Sequence, residues 1–380
     1  MNNTKPISVA YVIDNFAKGG AQTALIHLVR YLSKKNYKQR IYVLNNIVHP
    51  DNNKFLLECA NVEIRIIGKV QLLVGIGLIR ILCDFISWKP TIVLTMLFYS
   101  DILGRIIAKI ANIPIIVSSI RAKNIDKAKW QFFLDKITVW CADRIIFNSR
   151  QVMPFAIKYE GVQEKQVVYI PNGVNIKLDK SKYNRFKKRE ELGISNNTLV
   201  LGSIGRLRPQ KGFYYLLESI NLLSKEFSNL LLLIIGSGPL LKDLQIVVTE
   251  INLSDKVSFL GERTDIAELL FCMDIYVQAS LFEGMSNTVM EAMAMGIPVI
   301  ATSVDGTIQL IEEGKTGWLV EPKNSTMLAE KISYVLKHPN QAKGVGIAAA
   351  KKMAQDFSIE KMGESYDTLF RELVSDKLIT

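Results

Sequence analysis

The sequence predicts an α/β chain made of two doubly wound domains, each a parallel sheet wrapped by helices. Short apolar runs alternate with helical stripes through both halves. A polar, turn-forming stretch at residues 177–197 (KLDKSKYNRFKKREELGISNN) separates them. The length of 380 residues exceeds one typical core and suits two.

In the first half, residues 5–13, 39–44, 62–67, 91–95, 115–119, 143–148 and 166–170 read as strands. Several are continuous apolar runs, as strands buried on both faces should be. Residues 21–32 place Ala21, Ala24, Leu25, Leu28, Val29 and Leu32 on one helical face. In the second half, strands are expected at 198–204, 230–235, 257–259, 275–278 and 298–301. Helices are expected at 212–226, 240–251, 266–272, 288–295, 303–312 and 325–337. A last apolar stripe (Ile359, Met362, Tyr366, Leu369, Phe370, Leu373) follows the completed second sheet. It suits a helix that returns to the first domain. The expected domains are 1–178 with 358–380, a linker at 179–197, and 198–357.

Composition narrows the class. With 49% hydrophobic and 22% charged residues the chain is globular rather than disordered. Cys59, Cys83, Cys141 and Cys272 form no CxxC pair, and His27, His49 and His338 are scattered. Reduced packing thiols are expected, without disulfides or a metal cluster. Residues 7–13 are too short for a signal core. The longest apolar stretch, 72–88, is broken by Arg80 and Asp84, so no spanning segment is expected.

The net charge of +11 is lopsided: residues 1–176 carry 23 Lys+Arg against 11 Asp+Glu, and the remainder 24 against 25. A positive first half points to a polyanionic partner such as phosphates, an anionic membrane or nucleic acid. A basic surface kept for solubility is the plainer alternative.

Three loops suit phosphate chemistry. Lys18-Gly19-Gly20 opens the first helix, whose N–H groups favour an anion, although Gly-Gly is as often a plain turn. Gly205-Arg206-Leu207-Arg208-Pro209-Gln210-Lys211-Gly212 puts cations at the carboxyl end of a strand, where ligands of such folds bind. Arg grips phosphate bidentately and Lys adds a compact charge. The run from Phe282 to Glu291 joins a strand to a helix that Ser286 or Asn287 can cap and Gly296 can end. Its apolar continuation, Ala292 to Met295, makes the helix a buried one, so Glu291 needs partners.

These motifs carry a resemblance. The runs GSIGRLRPQKGFYYLLESI, IIGSGPL, FLGERTDI, LFEGMSNTVMEAMAMGIPVIAT and GKTGWLV resemble the retaining GT-B glycosyltransferases of the family-4 type (glycosyl transferases group 1). KGGAQTALIHLV, ADRIIFNSR, IPNGVN and the closing FSIEKMGESYDTLFREL are similar to the rest of that family. The resemblance implies two Rossmann-like domains facing a central cleft, with the C-terminal helix crossing back to the first. It implies transfer of a sugar from a nucleotide diphosphate sugar with retained anomeric configuration. Arg206 and Lys211 would then hold the diphosphate, Glu291 the ribose, and Glu283 the transferred sugar. Met285, Ser286, Asn287 and Thr288 would meet phosphate, with Gly205 and Gly236 close by. The loop with Arg263 and Thr264 would lie near the base, and Gly19 and Gly20 would approach from the first domain. Where many members carry a histidine, this chain reads Val117-Ser118-Ser119-Ile120-Arg121, so Arg121 takes that place. Arginine stays protonated, so it cannot serve there as a neutral proton acceptor. No Asp-x-Asp occurs, which fits an enzyme without cofactor or metal.

The expected acceptor is a glycan on a polyprenyl diphosphate, in bacterial capsule, exopolysaccharide or O-antigen synthesis. The expected location is cytoplasmic, peripheral on the inner membrane face. Residues 70–88 and 123–140 are the candidate contacts. The latter interleaves Lys123, Lys127, Lys129 and Lys136 with Trp130, Phe132, Phe133 and Trp140. The alternative is that Trp130, Phe133 and Ile137 face the core. Rival functions are a sugar-nucleotide epimerase, a phosphorylase or a non-enzymatic sugar-nucleotide binder. Nucleic acid is the least favoured partner.

Overall fold

The computed structural model describes residues 6–49, 62–123, 127–176 and 182–378. Cys59, residues 124–126 and residues 177–181 of the expected linker lie outside them. The chain divides into two compact units, Met1–Gly173 with Ile359–Thr380, and Val174–Ser358. The division falls at Gly173, so the stretch expected as a linker from Tyr183 onward belongs to the second unit.

The first unit is built on β1 (Ile7–Ile13), α1 (Gly20–Leu32), β2 (Tyr37–Val43), β3 (Val62–Ile66), α2 (Lys69–Leu73), α3 (Ile76–Trp88), β4 (Ile92–Met96), α4 (Phe98–Ile110), β5 (Ile115–Ile120), α5 (Lys129–Thr138), β6 (Arg144–Phe147), α6 (Met153–Tyr159) and β7 (Val167–Tyr169). Its sheet runs β3-β2-β1-β4-β5-β6-β7, parallel throughout. The β-branched and leucine-rich central strands are wholly buried because helices cover both faces. Leu25, Leu28 and Val29 of α1 pack one face together with Tyr366, Leu369 and Phe370 of the C-terminal helix. Ile81 and Phe85 of α3 and Ile107 and Ala108 of α4 pack the other. Gly363 lets the C-terminal helix lie against Tyr31: a Cβ there would sit 2.2 Å from the ring.

Two expectations about 123–140 change. Trp130, Phe133 and Ile137 do not face the core; all three are exposed. Lys127 is unavailable to lipid, because Asp135 (2.7 Å) and Glu160 (2.5 Å) hold it in a buried ion pair. The inward residues of α5 are instead Asp135 and Thr138.

The second unit continues with α7 (Arg185–Glu191), β8 (Leu199–Ile204), α8 (Phe213–Leu223), β9 (Leu230–Ile235), α9 (Leu241–Glu250), β10 (Val257–Gly261), α10 (Ile266–Cys272), β11 (Ile275–Gln278), α11 (Asn287–Met295), β12 (Val299–Thr302), α12 (Thr307–Leu310), β13 (Trp318–Val320), α13 (Ser325–Lys337) and α14 (Pro339–Asp356); α15 (Ile359–Leu378) then returns to the first unit. The second sheet runs β10-β9-β8-β11-β12-β13, again parallel. Helix α12 is shorter than the expected 303–312. Strand β13 and helix α14 were not among the expected elements. Three residues are too few to show a period. In α14, Gly344 and Gly346 dilute the apolar stripe, yet Gly346 is needed because a Cβ would lie 2.2 Å from the Gly296 carbonyl oxygen.

Helix α7 is tied to its own unit. Arg189 donates to Asp274 (2.8 Å) and to the carbonyls of Cys272 (3.1 Å) and Thr198 (3.0 Å). The thiols of Cys83, Cys141 and Cys272 are unpaired. Among the described residues no helix is long and apolar enough to cross a membrane.

Candidate active site

In an open parallel sheet, loops from neighbouring strands part where the strand order reverses, and ligands bind at that crevice. The second sheet reverses between β8 and β11. Lys211, after β8, and Glu283, after β11, meet there: Lys211 Nζ donates to Glu283 Oε1. Ser280 Oγ donates to the same oxygen at 2.8 Å. Backbone joins the two loops as well, Leu281 N–H to the Gln210 carbonyl at 2.7 Å and Gln210 Nε2 to the Phe282 carbonyl at 2.9 Å.

Glycine is required at two places in this frame. Gly212 adopts φ +63°, and a Cβ would lie 2.0 Å from the Ala279 carbonyl oxygen. Gly236 adopts φ +134°, and its Cβ would lie 2.1 Å from the Gly205 oxygen. The β8 and β9 loops therefore run backbone to backbone, with Leu207 N–H bonded to the Ser237 carbonyl at 2.9 Å.

Helix α11 starts beneath the β11 loop. Ser286 stands at its N-cap, yet its hydroxyl does not cap. It accepts from Gln278 Nε2 (2.8 Å) and meets the Thr288 hydroxyl at 3.3 Å. Gly296, at φ 76°, ends the helix as expected of a left-handed terminus. Tyr276 OH donates to Thr288 Oγ1 at 2.8 Å. Burial pushes the Tyr276 phenol well up, and the nearby Glu291 and Glu283 carboxylates push it further. Both glutamates thus flank one buried strand end, Glu283 buried and Glu291 half-buried. Gln278 Oε1 is buried with no partner among the described residues. Arg206 and Arg208 are exposed. Arg263 lies in a two-bond clasp with Asp265 (2.8 and 2.7 Å), and Thr264 is exposed beside it.

The first sheet reverses between β1 and β4. Gly19 caps α1 with extended backbone and Gly20 begins the helix. Gln22 Nε2 braces the turn by donating to Asn15 Oδ1 at 2.9 Å. Across the reversal, Asp14 Oδ1 accepts from Ser100 N–H (2.6 Å) and Ser100 Oγ (2.7 Å). Burial raises the Asp14 pKa against the lowering effect of those bonds. Leu97 sits at φ 79°, ψ 161°, a conformation ordinarily left to glycine. Such a residue costs on the order of 1–3 kcal/mol and persists only where the surrounding structure holds it.

Arg121 stands after β5, away from that reversal. It donates to Ser119 Oγ (3.3 Å) and Asn172 Oδ1, and Tyr366 of α15 also bonds it. Burial lowers its pKa, and its partners are neutral. Asp14, Leu97, Tyr276, Gln278 and Ser280 were not predicted. Polar Tyr276 and Gln278 alternating in a buried strand, and Ser280 three residues before Glu283, were the available signals.

Two parallel doubly wound sheets, of seven and six strands, are the architecture of the GT-B class of transferases. The description "Glycosyl transferases group 1" matches residues 184–352, and "Glycosyltransferase Family 4" matches residues 18–178. The chain belongs to this family of glycosyltransferases. It is 30% identical over 243 residues to the UDP-Gal:alpha-D-GlcNAc-diphosphoundecaprenol alpha-1,3-galactosyltransferase of Escherichia coli, covering 61% of this chain and 63% of that one. It thus spans somewhat less than two thirds of that relative. A capsular polysaccharide biosynthesis glycosyltransferase of Staphylococcus aureus is 25% identical over 320 residues, 79% of this chain and 81% of the relative. Among solved structures, an Anabaena protein in complex with UDP superposes with TM-score 0.84 at 20% identity, over 96% of this chain and all (100%) of that one. A Rickettsia africae glycosyltransferase gives 0.85 at 20% identity, over 98% and 100%.

Proposed function

We propose that the protein transfers a sugar from a UDP- or GDP-sugar to a glycan carried on a polyprenyl diphosphate, with retained anomeric configuration, during bacterial surface polysaccharide synthesis. The observation that carries this reading is the Lys211–Glu283 pair at the reversal of the second sheet. The relatives support it: the E. coli protein acts on a diphosphoundecaprenol-linked sugar, and the Anabaena protein was solved with UDP.

In this scheme the bond between the sugar C1 and the diphosphate oxygen breaks. The acceptor hydroxyl attacks C1 from the face the diphosphate leaves, and its proton passes to the departing phosphate. Lys211 and Arg206 take up the charge that grows on the leaving group, with the amides of Met285 to Thr288. Arg121 keeps its charge among neutral partners within the first unit. Glu283 receives the hydroxyls of the moving sugar and Glu291 those of the ribose. Gly205 and Gly236 let backbone approach the donor, and Arg263 and Thr264 border the base. No metal enters the scheme, so chelation leaves turnover unchanged. The lipid on the acceptor puts the reaction at the cytoplasmic membrane face, with the protein bound peripherally.

The test is a thermal-shift screen over nucleotide diphosphate sugars, followed by transfer to lipid-linked acceptors. Lys211→Ala and Glu291→Ala are each expected to cut turnover by about a hundredfold or more with the melting profile retained. Near-normal transfer by both variants refutes the site. Donor consumption without acceptor points to the epimerase or phosphorylase instead.

A further inference from the structure

A soluble helix packed on a sheet normally buries its apolar stripe and shows polar residues to water. In α5 this is reversed. Its buried side chains are Asp135 and Thr138, while Trp130 is 53% and Phe133 61% exposed. Helix α4 does the same in part. Asp101 and Arg105 point inward, and Tyr99, Ile106 and Ile110 point outward at helical spacing. The inward groups satisfy one another: Arg105 Nε donates to Ser118 Oγ (2.7 Å), and Thr95 Oγ1 donates to Asp101 Oδ1 (2.5 Å). On α5, and on the Asp101–Arg105 side of α4, polar side chains thus take the inner positions and apolar ones form an outer skin.

The skin is continuous. Helices α2, α3, α4 and α5 each pack against the next. Helix α2 buries none of its residues, and Leu73 on it is 78% exposed. Helix α3 turns Ile76, Ile79 and Ile86 outward. Scattered exposed apolar residues are ordinary, whereas a contiguous patch across four helices is not.

The charges around the skin are sorted by sign. The carboxylates of these helices are Asp84, Asp101 and Asp135, and none is exposed. The cations Lys69, Arg80, Lys109, Lys129 and Lys136 are all exposed, as is Lys89 just after α3. Lys109 also lies over the Trp140 ring, 5.7 Å from its centre. A protein partner's surface would ordinarily call for both signs at the rim. Among the described residues, the exposed charges carried by these helices are all cations, and the exposed carboxylate nearby, Glu63 of β3, is taken up by Arg40 and Arg65. An apolar face with such a rim complements a bilayer whose headgroups are anionic.

We infer that the outward face of α2–α5 inserts into the headgroup layer of an anionic membrane, its apolar stripes entering the lipid and its lysines meeting phosphate. This deepens the reading of a lipid-linked acceptor: attachment is apolar as well as electrostatic. It requires no bound donor or acceptor.

The test floats the full chain with vesicles of phosphatidylcholine alone or mixed with phosphatidylglycerol. Expected is binding to the mixed vesicles that weakens with salt but persists, because the apolar share is unscreened. The variant Trp130→Asn/Phe133→Asn/Ile137→Asn should lose roughly tenfold or more in binding. Ile246→Asn/Ile347→Asn in the second unit serves as the control and should lose none. Should the triple variant fold poorly, brominated lipid gives the same answer on the unaltered chain by quenching its tryptophan emission. Trp130→Phe/Trp140→Phe should abolish most of that quenching. Absence of flotation with both vesicle types, or unchanged binding by the triple variant, overturns the inference. So does a dimer that the triple variant disperses, since a second copy then covers the face. Transfer to an acceptor freed of its lipid is measured in parallel. Its persistence when flotation fails separates this inference from the transferase reading.

Discussion

The two units solve the same architectural problem with opposite treatments of charge. In the second, charged groups keep a route to water: Arg189 is buried at 2% side-chain exposure, but its partner Asp274 is 30% exposed. Exposed apolar residues such as Leu222, Ile246 and Ile347 are spread over separate helices. In the first, Arg105 (1%), Asp101 (8%) and Asp135 (7%) are closed in together, and the apolar surface lies outside them. Two sheets of the same parallel plan thus accept different charge on their inner helix faces and different apolar surface outside them.

Removing one member of the closed network is the strongest challenge to that contrast. Arg105→Leu leaves Asp101 buried with the Thr95 hydroxyl but without its cation, while Asp135 keeps Lys127. It should destabilise the first unit by about 3–5 kcal/mol, as loss of one partner of a buried pair does. Urea unfolding followed by tryptophan emission reads this unit chiefly, since Trp88, Trp130 and Trp140 lie in it and Trp318 in the other.

A smaller effect separates two buried groups by pH. Burial pushes the His27 pKa down to about 4, so its neutral ring stabilises the fold above its ordinary value near 6.5, and that contribution fades as pH falls toward 4. Burial pushes Asp101 up to about 7, so its contribution has the other sign: present at low pH and lost as pH rises toward 7. His27→Asn should remove at most about 3 kcal/mol of pH dependence and leave the declining slope from Asp101. Urea midpoints measured across that interval check it. A slope unchanged by His27→Asn would show that the histidine does not titrate between the states.

The mildest effect belongs to the second unit's rim. Arg263 and Asp265 are 36% and 18% exposed. A double-mutant cycle with Ala at each should return a coupling below about 1 kcal/mol. A value matching Arg105→Leu would erase the distinction between the units.

Strands and helices with strong periodicity were legible in the sequence, including α15 with its stripe from Ile359 to Leu373. The loops carrying Lys211 and Glu283 were legible too, because glycine, cation and carboxylate at strand ends have few other uses. Less legible were features set by tertiary packing. Ser286 occupies a capping position but bonds Gln278 instead, a choice decided by a neighbouring strand. Lys127 counted as a surface cation until Asp135 and Glu160, distant from each other along the chain, enclosed it. The helical spacing of Trp130, Phe133 and Ile137 identified a stripe without saying which way it turned. The inward partners of Asp135 and Thr138, Lys127 and Arg105, go with the opposite face turned out.

Helix α15 has a consequence for biosynthesis. Residues 174–358 form the second unit, and the first unit's core is finished by Met362, Tyr366, Leu369 and Phe370, which emerge from the ribosome after it. Domains made in sequence usually close in the order of their synthesis. Here the half translated first must wait for the half translated second. Until then it presents α1 with no covering helix, a period in which chaperones have a natural client.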